Sequence, residues 1–172
     1  MAERKVNILI TGTPGTGKTT LARLLADALE SEEFAHINLS KFVGDQKLYK
    51  EWDDEYNCPI YDEDLICDEL ESTMLRGKVI VDFHGCDFFP QEWFDLVILL
   101  RADNTILYDR LVEREYPQKK ISENVECEIM QVIHDEAYES YDSSIIWELQ
   151  SNTPDEMNDN YEKILEFLQS RI

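Results

Sequence analysis

The sequence is short of basic residues, and this shortage argues against one class of function. Lysine and arginine number 16 against 37 aspartates and glutamates, which gives a formal net charge of −21. So large an acidic excess repels a phosphate backbone and argues against broad binding of naked DNA or RNA. It favours attraction of a basic protein partner, and acidity that serves solubility alone is the alternative.

Long apolar runs and paired cysteines are also missing. No run approaches the roughly 20 apolar residues of a membrane span. Met1–Lys5 lead into a predicted strand without a signal-type segment, which predicts an intracellular protein with no membrane attachment. The four cysteines include no Cys-x-x-Cys pair, so neither a zinc site nor a disulfide framework is indicated. The length of 172 residues and the 43% hydrophobic content are those of one globular domain.

Glycine is scarce, with six in the chain, yet three fall within the stretch Gly12–Thr19. This stretch reads Gly-Thr-Pro-Gly-Thr-Gly-Lys-Thr and matches the phosphate-loop pattern Gly-x-x-x-x-Gly-Lys-[Ser/Thr] in full. The glycines allow successive N–H groups to face one anion, Lys18 brings a positive charge to the phosphates, and the Thr19 hydroxyl is placed to bind Mg²⁺. A chance glycine-rich turn is the alternative. The predicted strand before the loop and helix after it favour a phosphate-binding loop.

Apolar segments typical of strands alternate with segments of helical spacing. This alternation predicts an α/β fold of the P-loop NTPase class, in which a five-stranded, mostly parallel sheet carries helices on both faces. Ligands are expected at the carboxyl ends of its strands. The predicted strands are Lys5–Thr11, Phe34–Asn38, Lys78–Asp82, Phe94–Arg101 and Ile145–Leu149.

Helical patterns cover Tyr61–Arg76, Asn104–Glu115 and residues 122–142, the last as one long helix. A further helix is predicted after Thr153–Glu156, which reads as a capping box with proline in the first turn. Residues 39–61 read as an irregular polar and aromatic stretch, too long for an ordinary connection. We therefore predict that this stretch is a functional flap.

Two residues near the end of the third predicted strand are candidates for metal binding and catalysis. Asp82 ends an apolar strand, where a carboxylate would hold Mg²⁺ beside the Thr19 hydroxyl; capping of the next loop is the alternative role. His84 follows two residues later, where an imidazole could meet the γ-phosphate or orient an attacking water. A purely structural donor is the alternative for His84.

Four of the 16 basic residues fall within eleven positions, at Arg110, Arg114, Lys119 and Lys120. Arg110 and Arg114 are four apart on a predicted helix and so share one face, whereas Lys119 and Lys120 are predicted to lie in a loop. Such clustering in an acidic chain indicates an anion, with the cations closing over a transferring phosphoryl group. The alternative is a solvated helix end whose cations pair with neighbouring glutamates.

These motifs together resemble the adenylate kinase isoenzyme 6 family, the coilin-interacting nuclear ATPases. The resemblance runs nearly end to end, and its most distinctive part is the run Asp-x-His-Gly-Cys-Asp-Phe-Phe-Pro. It implies a single kinase domain over residues 1–172, with a monophosphate-binding flap over 38–61 and a short lid over 113–123. The stretches that carry the resemblance are Gly12–Thr20, Asp54–Ile60, Val79–Pro90 and Leu107–Leu111.

The resemblance implies phosphoryl transfer from ATP to AMP, ATP hydrolysis, a place in the nucleus, and a role in small ribosomal subunit maturation through a ribosomal protein partner. Matched onto this chain, it implies that Arg114 contacts the nucleotide from the lid, and that Asp82 with His84 binds metal and activates water. Lys18 and Arg110 complete the expected catalytic set. The residues expected to bind the ATP phosphates are Gly15, Thr16, Gly17, Lys18, Thr19 and Thr20.

The chain departs from the family pattern where the acceptor phosphate is gripped. The flap stretch Ser40–Gly44 lacks the arginine that adenylate kinases carry there, and Pro90 is followed by Gln91 rather than arginine. Lys41 and Lys47 are possible substitutes, each supplying a charge without a bidentate fork.

Three hypotheses for function follow. The leading one is a Mg²⁺-dependent kinase that transfers phosphate from ATP to AMP, with appreciable ATPase activity, in the nucleus and cytoplasm. The second is a nucleotide-driven assembly factor that binds and releases a basic ribosomal protein, with phosphoryl transfer secondary. A kinase for a small metabolite is the third, and the resemblance of the flap to adenylate kinases argues against it.

Overall fold

The computed structural model describes residues 5–55 and 58–172. A five-stranded sheet lies at its centre, with strand order β2-β5-β1-β6-β7 and every neighbouring pair parallel. The predicted strands and the predicted fold class are therefore confirmed, with the strand ends shifted by one or two residues. The strands are β1 Asn7–Thr11, β2 Ala35–Asn38, β3 Tyr49–Asp53, β4 Cys58–Tyr61, β5 Val79–Asp82, β6 Leu96–Arg101 and β7 Ile146–Gln150. The helices are α1 Lys18–Ala28, α2 Leu39–Gln46, α3 Glu63–Arg76, α4 Asn104–Glu113, α5 Gln118–Ile129, α6 Val132–Ser140 and α7 Pro154–Gln169.

The sheet is covered on both faces because its strands are apolar on both sides. Side chains alternate along β1, so Ile8 and Ile10 enter one core and Leu9 enters the other. The first core includes Leu25 of α1 and Ile164 of α7, and the second includes residues of α2, α3 and α6. Both cores hold the phosphate loop and the strand ends in fixed positions.

Strand register brings the predicted site together at one edge of the sheet. Ile10 at the end of β1 pairs with Asp82 at the end of β5, and Asn38 at the end of β2 pairs with the same Asp82. Since all three strands are parallel, their carboxyl ends lie side by side beneath the phosphate loop.

The prediction of an irregular stretch over residues 39–61 is wrong. The stretch contains α2, capped by the Asn38 side chain on the Lys41 N–H, and the antiparallel hairpin of β3 and β4. Its mixture of polar and aromatic residues hides a helix and a hairpin that are too short for periodicity to reveal. Tyr56 and Asn57, part of the stretch that carries the family resemblance, lie outside the described residues.

The prediction of one helix over residues 122–142 is also wrong. The chain turns at Gln131, whose φ of 57° ends helical geometry between α5 and α6. Ile121 of α5 packs with Leu107 and Leu111 of α4, whereas Ile133 of α6 packs in the sheet core. Two different packing partners require two helix directions, which a continuous apolar pattern does not reveal.

Lys119 and Lys120 lie in the first turn of α5 rather than in a loop. The helices from Glu63 and from Pro154 occur as predicted, and the Thr153 hydroxyl caps the latter by accepting from the Glu156 N–H. No helix in the described part of the chain is both long and apolar enough to cross a membrane.

Candidate active site

The phosphate loop joins β1 to α1, and its glycines adopt backbone angles that other residues rarely take. Gly12, Gly15 and Gly17 have φ values of 148°, 97° and 96°. A Cβ on Gly12 would lie 2.7 Å from the Leu100 carbonyl oxygen, which is backbone and cannot move aside. Both conformation and space therefore require glycine at the motif position.

Lys18 folds back over the loop that precedes it. Its Nζ donates to the carbonyl oxygens of Gly12 at 2.9 Å and Thr13 at 3.2 Å. Burial lowers the pKa of the amine, the charge of Asp82 opposes this shift and that of Arg114 adds to it, and the resulting pKa is about 8. A polyphosphate in the loop would place negative charge next to the buried ammonium group, whose hydrogen bonds go to neutral carbonyl oxygens.

Thr19 and Asp82 form the predicted metal pair. The Thr19 hydroxyl donates to Oδ1 of Asp82 at 3.0 Å, and the Asp82 residue is only 3% exposed. One hydroxyl and one carboxylate are hard oxygen donors, which suit Mg²⁺ completed by phosphate oxygens and water. The donor set thus fits the divalent ion that P-loop kinases use.

Two residues of β2 complete this pair and were missed by the sequence analysis. Asn38 donates through Nδ2 to the Thr19 hydroxyl oxygen at 3.0 Å, and Nε2 of His36 hydrogen-bonds to Oδ2 of Asp82. The only sequence signal was polar residues at alternate positions near the end of a short strand. That β2 lies beside β5 follows from the sheet order alone.

His84 lies in the wall of a cavity next to the phosphate loop. Its ring is 4.3 Å from the Phe83 ring centre, and its carbonyl oxygen accepts from the Thr11 hydroxyl at 3.2 Å. Burial, together with the charges of Lys18 and Lys120, lowers the pKa of the imidazole to about 4. His84 is therefore neutral at pH 7 and can orient a polar group without adding charge.

Two cavities flank the phosphate loop. The larger, about 600 Å³, is lined by Lys18, Asp82 and His84 together with the hairpin and α5. The smaller, about 420 Å³, lies against the other side of the loop and is lined by Gly17 and by residues of α4 and α7. Arg114 lines both cavities. A single guanidinium therefore borders both cavities.

Arg110 is held differently from Arg114. Its guanidinium donates to the carbonyl oxygens of Gly15 at 3.2 Å, Ser151 at 2.6 Å and Asn152 at 3.3 Å. Burial lowers its pKa, and the nearby charge of Arg114 lowers it further. Arg110 thus joins the phosphate loop to the segment between β7 and α7, and its predicted catalytic role stays a prediction.

Three of the four predicted cations line the two cavities, whereas Lys119 lines neither. Lys120 lines the larger cavity with its Nζ 4.2 Å from the Tyr116 ring centre. Lys119 forms an exposed ion pair with Glu55, just beyond β3, so the predicted lid touches the predicted flap.

Lys41, a suggested acceptor ligand, lines a separate groove of about 320 Å³. Lys47 is exposed at the end of α2. Neither Lys41 nor Lys47 lines the larger cavity.

Glu128 was missed by the sequence analysis, although it supports the loop. Its carboxylate is buried and accepts from the Thr13 hydroxyl at 3.4 Å, the Arg101 Nε at 3.0 Å and the Ala102 N–H at 3.0 Å. It ties α5 to the phosphate loop and to the end of β6. A glutamate in a glutamate-rich helix gave no sign of burial.

Known proteins match this chain over nearly its whole length. A family model described as an AAA domain matches residues 8–131. An adenylate kinase isoenzyme 6 homolog of Dictyostelium discoideum is 51% identical over 166 residues, covering 96% of this chain and 93% of the relative. A homolog of the same description from Caenorhabditis elegans is 46% identical over 165 residues, covering 95% of this chain and 89% of the relative.

Solved structures bear on the fold alone. A shikimate kinase from Bacteroides thetaiotaomicron has a TM-score of 0.63 at 16% identity, covering 95% of this chain and 98% of that one. A gluconokinase from Sinorhizobium meliloti has a TM-score of 0.56 at 15% identity, covering 97% of this chain and 98% of that one. The phosphate loop, the carboxylate beside it and relatives that match over nearly their whole length lead to one conclusion: this chain is a nucleotide kinase and belongs to the adenylate kinase isoenzyme 6 family.

Proposed function

We propose that the chain transfers the γ-phosphoryl group of ATP to AMP and hydrolyses ATP when the acceptor is absent. The observation that carries this proposal is the pair of cavities on either side of the phosphate loop, with Arg114 lining both. An enzyme that only hydrolysed ATP would need one nucleotide site. Two adjoining spaces of about 600 and 420 Å³ provide room for a donor and an acceptor.

The donor nucleotide is assigned to the smaller cavity, with its phosphates in the loop. The loop amides and the positive end of α1 bind the phosphate oxygens, and Lys18 places its charge on them. Thr19 and Asp82 would hold Mg²⁺, which neutralises charge on the β- and γ-phosphates when bound. Arg110 keeps the loop in place through its bond to the Gly15 carbonyl.

The acceptor is assigned to the larger cavity. Ser40, Pro59 and Tyr61 form one wall of this cavity from the predicted flap. Arg114 and Lys120 also line this cavity, and they supply positive charge in place of the missing flap arginine. A monophosphate seated there would face the γ-phosphate for in-line attack. Without an acceptor, water beside the neutral His84 takes its place.

The test is an acceptor survey. Protein, ATP and Mg²⁺ are mixed with AMP, CMP, GMP or UMP in turn, and ADP formation is compared with a control that lacks an acceptor. We expect AMP to raise the rate most. If no monophosphate raises it, the kinase assignment gives way to an ATPase.

The chain's charge favours a second function in addition to the first. A formal charge of −21 would steer a basic protein toward it, as expected for a nucleotide-driven factor in small ribosomal subunit maturation. We propose such a ribosomal partner, with the protein distributed between nucleus and cytoplasm. Pull-down of basic small-subunit proteins at rising salt tests the partner, because screening should weaken a charge-steered complex. Absence of binding at low salt would contradict it.

A further inference from the structure

His36 occupies a position that the phosphate-loop motif does not account for. Asp82 uses both of its carboxylate oxygens: Oδ1 accepts from the Thr19 hydroxyl at 3.0 Å, and Oδ2 bonds to Nε2 of His36. The carboxylate is nearly inaccessible to water, and the His36 side chain is only 17% exposed. The contact is therefore a shielded one, between a strand-end carboxylate and a residue 46 positions earlier in the chain.

We infer that His36 is a positioning residue for the divalent ion: it fixes Asp82 so that Oδ1 faces Thr19 as a metal ligand. This inference rests on the proposed magnesium-dependent function. A carboxylate that binds metal only accepts hydrogen bonds, so Nε2 of His36 carries the proton in this contact. Donors of this kind orient the ligand, and their loss typically lowers metal affinity about 10–100-fold.

The strand geometry explains how His36 and Asn38 act together. They are two positions apart in β2, so their side chains project to the same face of the strand. His36 bonds to Asp82, and Asn38 bonds to the Thr19 hydroxyl that completes the pair. One short strand thus supports both protein ligands of the proposed metal site.

A structural role alone is the competing explanation. His36 also lines the separate groove with Arg23 and Lys41, and its bond to Asp82 could serve only to hold β2 against β5. The two explanations differ in what they predict for nucleotide binding. A positioning role acts only when the metal is present, whereas a structural role weakens binding with or without it.

The experiment measures the ATP dissociation constant by calorimetry, once with excess Mg²⁺ and once with EDTA. The dissociation constant in EDTA divided by that in Mg²⁺ reports how much the protein's metal ligands contribute to ATP affinity. His36→Phe removes the donor, and His36→Gln keeps an N–H donor at a similar distance without a ring or charge. We expect His36→Phe to reduce the ratio about tenfold or more with the EDTA value unchanged. His36→Gln should restore most of the ratio.

An unchanged ratio in a folded His36→Phe variant would overturn the inference, as would equal losses in both conditions. If His36→Phe fails to fold, His36→Asn replaces it, because the shorter asparagine amide does not reach Asp82. Equal ratios for His36→Gln and His36→Asn would then overturn the inference. If the ATP affinity of the wild-type protein is the same with and without Mg²⁺, the proposed function is contradicted instead. Failure of the inference about His36 and failure of the proposed function are therefore distinguishable.

Discussion

The Thr19 hydroxyl donates to Oδ1 of Asp82 at 3.0 Å, although the two residues are 63 positions apart. One belongs to the first turn of α1 and the other ends β5, and the parallel pairing of β1 with β5 brings them together. Their donor atoms suit Mg²⁺ held beside a polyphosphate. Removing the charge of Asp82 should therefore weaken metal binding at this pair.

Asp82→Asn should remove the charge of the proposed metal ligand while keeping its shape. We expect ATP affinity in Mg²⁺ to fall to about the value measured in EDTA, because the amide binds the divalent ion poorly. Calorimetry in both conditions is the measurement. Asp45→Asn, on the exposed side of α2, is the matched control and should leave both values unchanged. Full Mg²⁺-dependent tightening in Asp82→Asn would contradict the site.

The lowered pKa of Lys18 predicts a pH dependence of nucleotide binding. The amine has a pKa of about 8 in the free protein, and phosphate would raise that pKa toward its ordinary value of 10.5. The complex then holds the proton more tightly, so binding takes up a proton and affinity is full below pH 8. Above that pH it should fall by up to about tenfold per pH unit.

Calorimetry between pH 7.5 and 9.5, in buffers of different ionisation enthalpy, measures this proton uptake directly. Lys18→Ala should lose nucleotide binding altogether, along with both proposed activities. Affinity that stays constant to pH 9.5 would show that Lys18 keeps its proton in the free protein.

Glu128→Ala should destabilise the fold. Its carboxylate is paired with Arg101 in a buried position, and removing one member of such a pair costs about 3–5 kcal/mol. Urea unfolding gives the free energy of unfolding. Glu126→Ala, exposed on the same helix, should change it by less than about 0.5 kcal/mol. Equal effects of the two substitutions would show that the buried contacts of Glu128 do not stabilise the fold.

Arg114→Ala should slow phosphoryl transfer more than it weakens ATP binding. Loss of one cation or donor that stabilises transition-state charge typically lowers kcat about 10²–10³-fold. Steady-state kinetics with ATP and AMP give kcat and KM separately. Arg76→Ala, at the exposed end of α3, is the control for loss of a surface arginine. A change in KM alone would place Arg114 in binding and not in catalysis.

His84→Gln should affect hydrolysis more than transfer to a monophosphate. The neutral imidazole is expected to orient water, whereas the acceptor phosphate needs no such help. The measurement is the ratio of ADP formed without AMP to ADP formed with it. We expect this ratio to fall several-fold; an unchanged ratio would assign His84 a structural role.

The sequence was sufficient for the parts of the site that lie close together in the chain. The phosphate loop occupies Gly12–Thr19, and its spacing reflects local backbone demands that only those residues satisfy. The strand ending in Asp82 was recognised because an apolar run closing on a carboxylate is itself local. Half of the capping box predicted at Thr153 is confirmed for the same reason: the Thr153 hydroxyl accepts from the Glu156 N–H. The Glu156 carboxylate accepts from the Asn152 N–H, one residue before the N–H that the motif calls for.

The secondary-structure predictions are wrong where one local pattern is compatible with more than one tertiary arrangement. The apolar spacing through residues 122–142 fits a single helix, yet α5 and α6 pack against different neighbours and the chain turns at Gln131. The hairpin of β3 and β4 is not predicted because its strands are only five and four residues long, too short for an alternating pattern to be recognised.

The amino-acid order alone is enough to predict a phosphate-binding loop between a strand and a helix, because glycine, lysine and threonine at this spacing are compatible with few other structures. The folded arrangement is needed to bring His36 to Asp82, to bury Glu128, and to place Arg110 against the carbonyl oxygens of Ser151 and Asn152. These contacts join residues far apart in the chain. They depend on the order and register of the strands, which no local pattern encodes.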